Sequence, residues 1–257
     1  MIFASLLFLA SVKSDLIEVV DGDLPIVITA PHGGVLPIPG SDERKDTTQP
    51  QFVTVLDTRT DELARATARE VETAFGKRPF VIIAKFARKY ADANRPSQYG
   101  TESEAARAVH DEYHAAVRKA VDAVRKKFGK GILVDIHGQG ADKETVFRGT
   151  QNLKTVAGLS DEVLFGPKSF LGMLESQGIK IFPTMKDAHE KENPKFDGGH
   201  TVQTYGLGHW DGILAIQLEF GGNYRTAKAI PETAKKLAIA LKHGIEEPRG
   251  SKLKELK

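Results

Sequence analysis

The chain has 257 residues, 40 % of them hydrophobic and 27 % charged, which is ordinary globular usage for one or two domains with a sizeable core. Lys+Arg 36 against Asp+Glu 34 leave a formal charge of +2, so there is no global electrostatic case for nucleic acid or an acidic partner. The absence of cysteine excludes disulfides, thiolate zinc sites, iron–sulfur clusters and a cysteine nucleophile, and leaves any metal to His, Asp and Glu.

Met1 to Ala10 form an apolar run far shorter than the roughly 20 residues of a membrane-spanning helix. It has the length of a signal-peptide core, with Val12 and Ser14 as small residues before a cut. No positive charge precedes it, and a first strand or helix packed on the fold is the competing reading. Residues 1–14 are expected to be an export signal, giving a periplasmic or secreted protein; without one the protein is cytoplasmic. Residues 15–247 are expected to form the domain and 248–257 a polar, lysine-rich tail.

Leu16 to Val20 and Pro25 to Ala30 read as short strands around the turn Asp21-Gly22-Asp23. Residues 31–50 are a loop rich in Gly, Pro and charge, a common place for a binding site after an apolar strand. Thr58 to Phe75 has helical spacing of Ala64, Ala68, Val71 and Phe75, with Gly76 as the stop. Pro79 to Lys85 is a continuous apolar strand. Thr101 to Glu104 reads as a capping box opening a long helix, whose stripe is Val109, Tyr113, Val117, Val121, Val124 and Phe128. Then follow a strand over Gly131 to Ile136, a helix over Ser160 to Gln177 and a strand over Lys180 to Pro183. A strand over Gly212 to Phe220 and a helix over Pro231 to His243 complete the series. Strands alternating with helices predict a single α/β domain with a mixed, mostly parallel sheet flanked by helices. Ligands in such sheets gather at the carboxyl ends of the strands.

Three strand ends carry polar residues of the needed kinds: Pro31-His32-Gly33-Gly34, Asp135-Ile136-His137-Gly138 and Gln217-Leu218-Glu219. Glycine beside each histidine allows close approach of backbone and ligand. A catalytic zinc takes three protein ligands and keeps one position open. His32 and His137 supply two, and Asp57, Asp61 and Glu62 are candidates for the third. Asp57 competes as an N-cap of the helix after it, and Glu62 as a solvated helix charge. Arg88, Asn94 and Arg95 form a second cluster, able to clamp an anion or simply to make surface ion pairs with Asp92 or Glu102. His110 and His114 lie at i and i+4, but the intervening Asp111-Glu112 does not reproduce the zinc motif H-E-x-x-H, and packing is the simpler role.

Together these pieces resemble the N-formylglutamate amidohydrolases, relatives in fold of the zinc carboxypeptidases. The resemblance runs from about Pro25 to Arg225: Ala30-Pro31-His32-Gly33-Gly34, Asp57, R-x-x-x-D-x-N-R-P from Arg88 to Pro96, Tyr113-His114, Asp135-Ile136-His137-Gly138, Phe196 to Gly199 with Tyr205-Gly206, and Gln217-Leu218-Glu219. It implies a phosphorylase/hydrolase-like, zinc carboxypeptidase-like fold, with Zn2+ held by His32, Asp57 and His137. It implies Glu219 as general base and Arg88 as stabiliser of the oxyanion. Asn94 and Arg95 would grip a substrate carboxylate, with Gly199 and His200 on a substrate loop. Val35 stands where the carboxypeptidases have a ligand Glu, and His200 where an aromatic is expected. Asp135, two residues before His137, points the same way along its strand and either orients a ligand or merely caps a helix.

The expected activity is zinc-dependent cleavage of an amide in a small carboxylate-bearing N-acyl amino acid. The alternatives are a carboxypeptidase-like hydrolase of short or cell-wall peptides, and a non-catalytic metal-binding protein on the same scaffold. No nucleic-acid partner is expected, for want of a basic aromatic face, and no stable membrane span.

Overall fold

The structure is a computed structural model and describes residues 15–246. The expected export segment and the polar tail lie outside the described residues.

In chain order the elements are β1 (Ile17–Val20), β2 (Ile26–Ala30), α1 (Thr60–Phe75), β3 (Phe80–Ala84), α2 (Ser97–Gly100), α3 (Glu104–Phe128), β4 (Ile132–Gly138) and β5 (Val146–Gly149). They continue with α4 (Asp161–Phe165), α5 (Phe170–Ser176), β6 (Ile181–Phe182), α6 (His200–Tyr205), β7 (Leu214–Phe220) and α7 (Ile230–Glu246). The seven strands form one sheet in the order β1-β3-β2-β4-β7-β5-β6. Its centre, β3-β2-β4-β7, is parallel, while β1 pairs antiparallel with β3 and β5 antiparallel with β7. The single α/β domain with a mixed, mostly parallel sheet flanked by helices is therefore as expected.

Each central strand divides its side chains between two cores. Ile28, Val134 and Ile216 face α1, α5 and α7, whose Leu63, Leu171 and Leu241 are fully or almost fully buried. Val27, Leu133 and Ala215 face the other way, onto Tyr113, Val117 and Val124 of α3 and Val202 of α6. That second face changes character along the strands. Beyond the apolar row Val27–Leu133–Ala215 comes the row Thr29–Asp135–Gln217, and beyond it His137 opposite Glu219. The carboxyl ends of the strands thus carry a buried polar ladder on one face.

Local corrections have local causes. The helix expected over Ser160 to Gln177 is broken into α4 and α5 at Gly166-Pro167, because proline lacks an N–H and disfavours helical backbone before it. The cap of α3 is Ser103, whose Oγ accepts from the Ala106 N–H at 3.1 Å, and the Thr101 hydroxyl bonds back to the Ser97 carbonyl instead. The first helix begins at Thr60 behind Arg59 in a left-handed conformation (φ 65°), with no side-chain cap. The strands on either side of Asp21-Gly22-Asp23 are not partners, since β3 lies between them. Strand β5 and the short helices α2 and α6 had no sequence expectation.

Candidate active site and metal centre

His32 follows the end of β2, and its carbonyl accepts from the Asp57 N–H at 3.1 Å. This bond brings the segment before α1 back across the strand ends. The Asp57 carboxylate is consequently not a helix cap. Its Oδ2 lies 3.3 Å from His32 Nδ1 and 3.2 Å from His137 Nδ1, and accepts from the Gly138 N–H at 3.1 Å. The three residues are buried and offer atoms all within 4.8 Å of one another. Neither rival carboxylate joins them: Asp61 pairs with Arg65 at 2.6 Å, and Glu62 lies 3.8 Å from Arg59.

The far nitrogen of each imidazole meets another carboxylate. His32 Nε2 is 2.7 Å from Asp92 Oδ1, and His137 Nε2 is 2.9 Å from Asp135 Oδ2. Asp135 also accepts from the Thr29 hydroxyl at 2.6 Å. An acceptor at Nε2 assigns a proton to that nitrogen and leaves Nδ1, on the Asp57 side, as the nitrogen that can give up its proton to a metal, the arrangement by which carboxylates orient metal-ligating histidines. The donor set of two imidazoles and one carboxylate could hold a divalent metal ion.

Burial dominates the electrostatics, and the charges oppose it. Burial would raise Asp92 and Asp135, but Arg88 and His32 hold the first well below the usual carboxylate range, and His137 lowers the second. Burial would lower His137, yet Asp135 and the hydrogen bonds to Asp135 and Asp57 push it up to about 10. Glu219 goes the other way. Burial, reinforced by Asp57 and Asp135, raises it to about 7 despite His137 and Arg88.

Glu219 stands opposite His137 in the parallel ladder, 3.8 Å from its Nδ1, and accepts from Gln217 Nε2 at 2.9 Å. It lines a cavity of about 400 Å3 together with His32, Asp57 and His137. Arg88, Asn94, Arg95 and Gly199 share the wall. Arg88 is buried rather than on the surface: Nε donates to Asp92 at 2.8 Å and Nη1 lies 3.6 Å from Asp57. The Asn94 amide is engaged within the protein, donating to Gln217 Oε1 at 3.0 Å and accepting from the Thr201 N–H at 3.0 Å. Arg95 donates from Nη1 to the Asn94 carbonyl, while its buried Nε has no hydrogen-bond partner.

The Gly198-Gly199 loop reaches the site through Gly199, whose N–H donates to Gln217 Oε1 at 2.8 Å. A Cβ at Gly199 would fall inside the Asn94 amide, so the approach requires glycine. His200 is not on the cavity wall. It opens α6 and packs against His114, ring centroids 4.9 Å apart, in a cluster with His110. His110 and His114 bond the Arg95 and Ala93 carbonyls at 2.9 and 2.8 Å, the packing role expected of them.

The sequence reading gave no role to Gln217 or Arg225 and treated Asp92 only as an ion-pair partner. The available signal for Gln217 was the repeated two-residue spacing, Asp135-x-His137 on one strand and Gln217-x-Glu219 on the next. Nothing comparable marked Arg225.

Residues 99–223 match the family model of N-formylglutamate amidohydrolase. That stretch contains His137, Gly199 and Glu219; His32 and Asp57 lie outside it and join the site through the fold. The N-formylglutamate amidohydrolase of Ralstonia eutropha JMP134 superposes with a TM-score of 0.62 at 16 % identity, covering 91 % of this chain and 99 % of its own. A gene product of Agrobacterium tumefaciens superposes with a TM-score of 0.58 at 15 % identity, covering 91 % and 96 %. No protein with a curated description matches the chain. The sequence match over residues 99–223, on a fold shared with solved relatives over nine-tenths of the chain, establishes its likeness to the N-formylglutamate amidohydrolase family of hydrolases.

Proposed function

We propose that this chain is a zinc-dependent amidohydrolase acting on a small N-acyl amino acid with a free carboxylate, the N-formylglutamate class of substrate. The observation that carries the reading is the convergence of His32 Nδ1, His137 Nδ1 and Asp57 Oδ2 beside buried Glu219 in one cavity. A bound divalent ion would supply Lewis acidity, polarising the amide carbonyl and bringing the pKa of water towards about 7. Glu219 takes the proton of the attacking water and returns it to the departing amine, as its raised pKa suits a group that must both accept and donate near neutrality. Arg88 holds positive charge at the cavity wall where the oxyanion develops. Arg95, on the cavity wall, supplies the positive charge and planar fork for the substrate carboxylate. Asn94 and Gln217 hold the Gly199 loop in place.

A peptide-cleaving variant of the same chemistry is favoured by Val53, Val55 and Leu56 on the cavity wall, because Val55 and Leu56 are exposed and would accept apolar groups beyond the scissile amide. A non-catalytic binder would have no use for a base at Glu219. The apolar run Met1–Ala10 supports export, and fractionation of cells expressing the full chain tests it.

Metal analysis of the purified protein, with hydrolysis assays across N-acyl amino acids and short peptides, tests the activity. Glu219→Gln is expected to retain the metal and lose about 10²–10⁴-fold in kcat. Unchanged turnover would make Glu219 structural, and loss of the metal would make it a ligand.

A further inference from the structure

Arg225 takes no part in the chemistry above. It follows β7, and its guanidinium binds carbonyls from three separate segments: Nε donates to Phe220 at 2.9 Å, Nη2 to Gln139 at 3.2 Å, and Nη1 to Thr58. Each carbonyl adjoins a site residue. Phe220 follows Glu219, Gln139 lies two residues after His137, and Thr58 follows Asp57. The guanidinium rests on Gly138, where a Cβ would come within 2.5 Å of its Cζ. The Gly138 N–H in turn donates to Asp57 Oδ2 at 3.1 Å.

The sheet ladder already sets His137 against Glu219. Asp57 has no such support, being carried by neither strand nor helix. Its segment is tied to the strand ends by the Asp57 N–H to the His32 carbonyl, by Gly138 and by Arg225. Resting on the proposed metal site, we infer that Arg225 is a positioning residue: it locks the Asp57 segment to the ends of β4 and β7, and so fixes the carboxylate ligand against His137 and the base. A planar guanidinium spreads five N–H donors over three nitrogens and so serves one carbonyl from each, whereas the three donors of an ammonium radiate from a single nitrogen.

The test uses the full chain with Arg225→Ala and Arg225→Lys, and with Arg65→Ala as control, since Arg65 pairs with Glu18 and Asp61 near the surface, away from the site. Hydrogen exchange of the Gly138 amide is read in the metal-free proteins, and zinc affinity by titration. For Arg225→Ala the Gly138 amide should exchange at least about tenfold faster and zinc should bind about 10–100-fold more weakly, the usual cost of losing an orienting partner. Thermal midpoints should fall no further than in the control. Added ethylguanidinium should restore zinc affinity to Arg225→Ala, and Arg225→Lys should recover little. Should Arg225→Ala fold poorly, Gly138→Ala displaces the guanidinium while keeping it in the chain, and should weaken zinc binding likewise. Parent-like exchange and zinc affinity would overturn the inference, as would losses that track the thermal midpoint without guanidinium rescue. A parent protein that binds no zinc would sink the metal reading instead, leaving the Gly138 amide to decide the role of Arg225.

Discussion

His137 lies between the carboxylates of Asp135 and Asp57, and that position couples protons to metal binding. Its folded pKa of about 10 exceeds the ordinary value of 6.5. In the metal-free protein its stabilising contribution is therefore complete below about pH 6.5 and is lost as pH rises through about 10. Asp92 and Asp135 are depressed, so theirs is present above the ordinary carboxylate range and lost as pH falls below it. A metal must displace the proton on His137 Nδ1. Zinc affinity should consequently rise about tenfold per pH unit from pH 6 to 8, with about one proton released per ion. Calorimetric titration in buffers of different ionisation enthalpy measures both, and affinity independent of pH would exclude a protonated His137. At Arg95, replacing the fork by an ammonium should raise KM and lower kcat together for substrates with a free carboxylate, because a small substrate has few other handles to align it. The amides of those substrates should be unaffected by Arg95→Lys, and equal parent activity on acids and amides would remove the carboxylate from the recognition.

At the level of elements, the site is an encounter of strand ends with loops. The ends of β4 and β7 present Asp135, His137, Gln217 and Glu219 at matched heights because the two strands are parallel and in register. Their alternation was visible in the sequence, since both stretches place polar residues two apart within apolar runs. The loop contributions were not. Gly199 meets Gln217 and Asn94 only after β7 and the segment beyond β3 have come together. Gly199→Ala should push the Asn94 amide away and cost about 1–3 kcal/mol as an overpacked contact. It should also lower kcat/KM while zinc stays bound. Thermal melts, metal analysis and steady-state kinetics check the three parts, and a fully active Gly199→Ala protein would show that the loop need not close on Asn94.

Across the whole molecule, the sheet separates stability from chemistry. The face against α1, α5 and α7 is wholly apolar in its centre, whereas the opposite face passes from Val27, Leu133 and Ala215 to the buried site. Leu241 of α7 is fully buried on the first face. Leu241→Ala should lower unfolding stability by about 2–5 kcal/mol and leave kcat and zinc affinity unchanged at temperatures where the protein stays folded. Denaturant titration beside kinetics measures this. A fall in kcat out of step with unfolding would mean that the two faces are mechanically coupled.

By itself the sequence determined the alternation of strands and helices, the continuous apolar strands, and the histidines and glutamate at strand ends. These follow from local periodicity, because hydrophobic patterning reports which side of an element is buried. Strand order came only with the tertiary structure, as did the contacts that set Asp57, to which the resemblance had pointed, beside the histidines and Asp61 and Glu62 away from them. The strands at 17–20 and 26–30 are near in sequence, yet β3 intervenes between them. Asp57 and His137 are 80 residues apart and meet through a side-chain contact of 3.2 Å. Spacing along a chain constrains neighbours a few residues apart, but not how a loop crosses the end of a sheet. For that reason the long-range contacts of Asp92 with His32, of Gln217 with Asn94 and Gly199, and of Arg225 with Thr58 and Gln139 gave these residues their roles only once the chain had folded.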